Sequence, residues 1–104
     1  MPDFIILGAQ KAGTTSLYAY LLEHPQVLPA RKKEVHYFDL RYERGERWYR
    51  SHFPSQRAMQ ARGRSLGNRV ITGEATPYYL FYPRAPERVA SVVPNAKFIV
   101  LLRD

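Results

Sequence analysis

The chain has no cysteine among its 104 residues. That excludes a disulfide scaffold, a thiolate metal site and cysteine nucleophile chemistry, and it sits more easily with a reducing compartment. Acidic residues are scarce: 9 Asp and Glu stand against 16 Lys and Arg, for a formal charge of +7. The excess points to an anionic partner such as phosphate, sulfate, a polyanionic sugar or nucleic acid. Long apolar runs are also missing. The longest, Phe4–Leu7 and Phe98–Leu102, fall far short of the ~20 residues of a helical membrane span. A start with Asp3 and no basic segment argues against a signal peptide, so the expectation is a soluble, cytoplasmic protein. With 45% hydrophobic and 24% charged residues, the composition is that of one small globular domain.

What is present reads as an α/β pattern. Phe4-Ile5-Ile6-Leu7 and Phe98-Ile99-Val100-Leu101-Leu102 look like strands buried on both faces of a parallel sheet, and Val70-Ile71-Thr72 is a weaker third. Helices are expected over Thr14–Glu23, ended by His24-Pro25, and over Arg84–Val93, ended by Pro94-Asn95. A short helix is expected around Glu46–His52, and Arg62–Asn68 reads as a polar loop. Because Asp104 follows directly on the last apolar run, the expectation is an incomplete domain, residues 1–104 forming its N-terminal portion.

Between the first strand and first helix lies Gly8-Ala9-Gln10-Lys11-Ala12-Gly13-Thr14-Thr15-Ser16. A glycine-bracketed turn that feeds a helix aims backbone N–H groups and the positive end of the helix dipole at one point, which favours an anion. Lys11 adds a full charge, and Thr14, Thr15 and Ser16 add hydroxyl donors. The glycine spacing is that of a Walker loop, but threonine stands at the Walker lysine position and the lysine sits at 11.

The sequence resembles the sulfotransferase family, above all members like the heparan sulfate sulfotransferases. The resemblance rests on an ordered series along almost the whole chain. It runs from Leu7-Gly8-Ala9-Gln10-Lys11-Ala12-Gly13-Thr14-Thr15-Ser16-Leu17, similar to the family's 5′-phosphosulfate loop, through His24-Pro25 to Lys33-Glu34-Val35-His36-Tyr37-Phe38-Asp39, similar to its acidic acceptor-site motif. Trp48-Tyr49 with Phe53-Pro54, Gly73-Glu74-Ala75-Thr76-Pro77-Tyr78-Tyr79-Leu80 and Pro86-Glu87-Arg88-Val89 follow, and Phe98-Ile99-Val100-Leu101-Leu102-Arg103-Asp104 closes the series. The resemblance implies a P-loop NTPase-like parallel sheet with flanking helices. It implies transfer of a sulfuryl group from 3′-phosphoadenosine 5′-phosphosulfate (PAPS) to an acceptor hydroxyl or amine, with a carbohydrate as the expected acceptor and no metal. Lys11, Ala12, Gly13, Thr14, Thr15 and Ser16 would hold the 5′ phosphosulfate and Arg103 the 3′-phosphate. A serine that relatives place beyond this arginine is not in the chain, so the isolated chain is expected to be inactive.

Sulfuryl transfer depends on positioning and on fixed charge at the leaving phosphate. By position in the family motif, Lys11 is the electrophilic partner and Glu34 the general base. To work near neutral pH, Glu34 would need burial; the alternative is a surface carboxylate paired with Lys32 or Lys33. His36, two residues on, would face the same side of an extended segment and either orient Glu34 or contact the acceptor. Lys33 and Glu74 complete the expected acceptor contacts, Glu74 being open equally to a strand-end salt bridge. Relatives acting on heparan chains often carry lysine where this chain has Ala75. Thr76-Pro77 reads as a helix start with Thr76 as cap.

The arginine-rich stretch from Arg41 to Arg69 reads either as a solvated basic loop or as a contact for a sulfated or carboxylated glycan. Trp48, Tyr49 and Phe53 read as local core; Tyr78, Tyr79, Phe81 and Tyr82 stay open between core and sugar platform. His24 and His52 carry no evident chemistry. Two other functions compete: a P-loop nucleotide kinase or NTPase, and a polyanion binder without catalysis. No nucleic-acid-binding signature accompanies the basic charge.

Overall fold

Both apolar runs become neighbouring strands of one parallel sheet. The computed structural model describes residues 1–8, 13–32 and 34–101. The sheet has four strands, β1 (Phe4–Gly8), β2 (Val27–Pro29), β3 (Ile71–Ala75) and β4 (Lys97–Leu101), in the order β2-β3-β1-β4. All pairs are parallel, with Ile5 opposite Glu74 on one side and Phe98 on the other. Helices α1 (Thr14–Leu22), α2 (Glu46–Arg50), α3 (Gln56–Leu66) and α4 (Ala85–Val92) complete the fold with short 3₁₀ turns at Tyr42–Arg44 and Pro77–Leu80.

Alternation along β1 divides the core. Phe4 and Ile6 pack with Tyr18 of α1 and Ala75. Ile5 faces the opposite side, against Val35, Tyr37, Phe38, Tyr49, Tyr79 and Val89. One face is therefore covered by α1, the other by α4 together with the aromatic segment after β2. The chain leaves β1 toward β2 through α1 and leaves β3 toward β4 through α4, so the direction of winding reverses at β1. In open parallel sheets such a reversal opens a crevice at the carboxyl ends of the strands.

Three expectations are corrected. In place of the expected burial on both faces, Phe98 and Val100 of β4 are 51% and 46% exposed in this partial domain. Arg62–Asn68 is not a loop but mostly the end of α3, which is capped by Ser55, whose hydroxyl accepts the Ala58 N–H at 3.1 Å, and stops before left-handed Gly67. Thr76 precedes a 3₁₀ turn but makes no capping bond to it. β2, too short to stand out in the sequence, is held by the Thr72 hydroxyl donating to the Leu28 carbonyl at 2.7 Å and by its pairing with β3.

Candidate functional site

The carboxyl end of β1 and the segments that follow β2 and β3 meet at one end of the sheet. Gly8 closes β1 where a Cβ would stand 2.5 Å from the Leu101 carbonyl, so only glycine lets β4 pair there. After residues 9–12, Gly13 takes φ 91° and starts α1 without a side-chain cap and without an acid in the first turn. Thr15 and Ser16 are exposed there, while Thr14 is buried. Among the described residues the first turn of α1 carries no carboxylate, which suits an anion at the positive end of the helix. Lys11, Ala12, Lys33 and Arg103 lie outside the described residues.

A cavity of about 550 Å³ reaches Gly8 at the end of β1 and is lined also by Glu34, His36, Leu40, Pro77, Tyr78 and Phe81. At its edge three side chains form a line: Glu34 Oε1 lies 3.0 Å from His36 Nε2, and His36 Nδ1 lies 2.9 Å from Asp39 Oδ2. Asp39 is buried, and its Oδ1 accepts the Leu40 N–H at 2.6 Å. Asp39 Oδ2 accepts the proton on Nδ1 and so turns Nε2 toward Glu34, where one further proton lies between Nε2 and Oε1. The second oxygen of Glu34 has no hydrogen-bond partner among the described residues. Arg88 steadies the far end by donating to the Phe38 carbonyl at 3.2 Å while its guanidinium lies over the Tyr42 ring.

The geometry alters two expectations. Glu34 and His36 do meet, but not by sharing the face of an extended segment: His36 has φ 55°, and the backbone turns there. Nor is Glu34 buried; its side chain is 39% exposed, and its contact is His36 instead of Lys32. Asp39 was overlooked as a functional residue, although a carboxylate three positions after a histidine is a visible signal once the segment is known to turn.

Glu74 is 0% exposed and offers no surface to an acceptor. It is not a strand-end salt bridge either: the partners of its carboxylate are the hydroxyls of Tyr49, Tyr79 (3.0 Å) and Thr76 (2.6 Å). Burial pushes the Glu74 carboxyl up, against the pull of those three donors. Burial and the neighbouring Glu74 carboxylate raise Tyr49 and Tyr79 as well. Ala75 is buried against the α1 side of the core.

The remaining aromatic residues divide. Tyr49, Phe53 and Tyr79 are core, with Trp48 packed against them, whereas Tyr78 and Phe81 are exposed at the cavity. His52 is structural, its Nδ1 hydrogen-bonded to the Trp48 carbonyl at 2.9 Å. A larger cleft, about 790 Å³, opens at the opposite end of the sheet beside Asp3, Arg47, Arg50 and Arg69. Two of its arginines are already paired, Arg50 with Glu46 and Arg69 with Asp3, and both are exposed, Arg50 on α2 and Arg69 after α3. No helix among the described residues is long and apolar enough to cross a membrane.

Comparison with known proteins points to one family. The profile described as the Sulfotransferase family matches residues 2–104. The chain is 42% identical over 104 residues to the membrane-associated sulfotransferase kil1 of Dictyostelium discoideum, covering all of this chain and 21% of that protein. It is 40% identical over 103 residues to heparan sulfate glucosamine 3-O-sulfotransferase 6 of Homo sapiens, covering 99% of this chain and 27% of the relative. With the bifunctional heparan sulfate N-deacetylase/N-sulfotransferase 1 of Caenorhabditis elegans it shares 34% identity over 110 residues, all of this chain and 12% of the relative. The crystal structure of a sulfotransferase from Alicyclobacillus acidocaldarius superposes with a TM-score of 0.65 at 31% identity, over 96% of this chain and 43% of that one.

Proposed function

The chain belongs to the sulfotransferase family, and from that membership we propose that it serves the transfer of a sulfuryl group from PAPS to a hydroxyl or amine of a carbohydrate acceptor, with Glu34 as general base. The observation that carries this reading is the Glu34–His36–Asp39 line, 3.0 and 2.9 Å long, at the edge of a cavity that reaches Gly8 of the anion-binding turn.

PAPS, when bound, supplies an electrophilic sulfuryl group on a phosphate leaving group. The chain's own residues do the rest. Glu34 takes the proton from the acceptor as its oxygen or nitrogen bonds to sulfur and the bond from sulfur to the phosphate oxygen breaks. His36 orients the carboxylate through Nε2, and Asp39 fixes the ring. Lys11 and the N–H groups of residues 13–16 balance the charge that grows on the departing phosphate, and Arg103 binds the 3′-phosphate. Exposed Tyr78 and Phe81 offer flat faces to a sugar ring. The heparan sulfate enzymes among the relatives support a glycan acceptor, while Ala75 leaves that position without the cation expected in heparan-specific relatives.

The test is sulfate transfer by the full-length protein, here and in every rate measurement below, from radiolabelled PAPS to a panel of unsulfated and sulfated glycans, alongside a thermal-shift titration with adenosine 3′,5′-bisphosphate in EDTA. Stabilisation by the bisphosphate is expected, about 2.7 kcal/mol at ~100 times Kd. Lys11→Ala should abolish most of that stabilisation, and Glu34→Gln should abolish most turnover while leaving bisphosphate binding intact. Full turnover by Glu34→Gln would remove Glu34 as the base.

A further inference from the structure

Glu74 is fully buried, and the described residues around its carboxylate supply three hydroxyls and no cation. A buried carboxylate without a counter-charge is costly compared with an apolar residue of the same size. Its effect lies in what it does to the hydroxyls. Thr76 Oγ1 and Tyr79 OH each spend their single proton on Glu74 Oε1, at 2.6 and 3.0 Å. Each oxygen then has only lone pairs left to present. Those lone pairs meet two backbone amides: Val35 N–H donates to Thr76 Oγ1 at 3.2 Å, and Tyr37 N–H donates to Tyr79 OH at 2.9 Å.

Residues 35 and 37 flank His36, whose φ of 55° is the one positive value at a non-glycine position among the described residues. A side-chain-bearing residue is held in that region only when its surroundings dictate it. The two amides are clamped from β3 and the turn after it, and the third hydroxyl extends the clamp. Tyr49 donates to Glu74 Oε2 while its ring stacks on Tyr37, with centroids 4.6 Å apart.

Resting on the reading of Glu34 as base, we propose that Glu74 is a positioning residue for the reaction: through the hydroxyls of Thr76 and Tyr79 it holds the peptides on both sides of His36, so that the ring reaches Glu34 and Asp39 together. Glu74 does not touch substrate. It polarises two hydroxyls into acceptors, and these set the turn that aligns the catalytic pair.

Thr76→Val and Tyr79→Phe each delete one amide clamp at nearly constant volume, Thr76→Ser keeps the hydroxyl, and Glu74→Met keeps volume while removing the acceptor. Steady-state kinetics and the imidazole nitrogen resonances of His36 are read for each, with Glu34→Gln measured in parallel. Thr76→Val and Tyr79→Phe are expected to lower kcat about tenfold, equivalent to ~1.4 kcal/mol, with the KM for PAPS unchanged and the His36 resonances moved. Glu74→Met should lose at least as much, and Thr76→Ser should restore most of the rate lost in Thr76→Val. Should Glu74→Met fail to fold, the Thr76 and Tyr79 variants carry the test. Unmoved His36 resonances and unchanged kcat in those two, with only the melting temperature lowered, would overturn the proposal. Full turnover in Glu34→Gln alongside moved His36 resonances would instead overturn the base assignment and leave the clamp standing.

Discussion

Replacing Asp39 by asparagine changes one atom's chemistry at constant shape, and the structure dictates how the new amide must sit. Oδ1 of Asp39 accepts the Leu40 N–H at 2.6 Å, so the amide keeps its oxygen on that bond. Its NH2 group then faces His36 Nδ1, 2.9 Å away in the native protein. Two donors cannot face each other, so Nδ1 gives up its proton and the ring keeps only the one between Nε2 and Glu34. His36 still touches Glu34 in the variant, but only as a donor, and it no longer has an anion behind it to offset positive charge on the ring. The loss is that of one charge-assisted hydrogen bond, about 1.5–3 kcal/mol, expressed when Glu34 takes up its proton. That converts to a fall in kcat of about ten- to 150-fold. Initial rates of sulfate transfer at saturating PAPS measure it, and bisphosphate titration shows that the donor site is intact. A kcat within about twofold of wild type in a folded variant would refute the line from Asp39 to Glu34.

Two further predictions concern stability. A Cβ on Gly73 would stand 2.5 Å from the Phe4 carbonyl oxygen and 2.6 Å from its ring, so Gly73→Ala must push β1 and β3 apart. The expected cost is ~1–3 kcal/mol, read as a melting temperature lower by about 4–8 °C for each kcal/mol; an unchanged melting temperature would contradict the packing of this strand pair. The second concerns pH. Burial lifts the Glu74 carboxyl above its ordinary 4.5, so the folded chain holds this proton to higher pH than the unfolded chain does. The stability contributed by this group is complete below about pH 4.5 and is lost as pH rises through the raised value, at up to ~1.4 kcal/mol per pH unit. Denaturant unfolding of wild type and Glu74→Gln across that window should show the variant gaining on wild type as pH rises, and parallel profiles would count against the buried, uncompensated carboxylate.

The parts legible in the sequence are those whose physics is local. The run Phe4–Leu7 and the glycines at 8 and 13 mark a strand, a turn and a helix start within a dozen residues, and α1 and α4 end where Pro25 and Pro94 indicate. Helix α3 escaped notice because none of its residues is buried, leaving only the Ser55 cap and the Gly67 stop to mark it. β2 has three residues, and what makes it a strand is β3, more than forty positions away.

The site divides along the same line. Glu34 and His36 stand two apart in a recognisable motif, yet their contact depends on a backbone turn that the motif does not specify. Thr76 and Tyr79, from beyond β3, supply the bonds to the two amides beside that turn, and Glu74 directs their protons away from those amides. The carboxylate that looked like a surface contact in the sequence is therefore interior, and the residues that shape the turn are forty positions away from it. Reading such a site from sequence takes more than finding the acid and the histidine. It requires asking which polar residue on a neighbouring strand end has no surface to face, because a buried carboxylate must organise donors around itself, and those donors in turn organise whatever lies next to them.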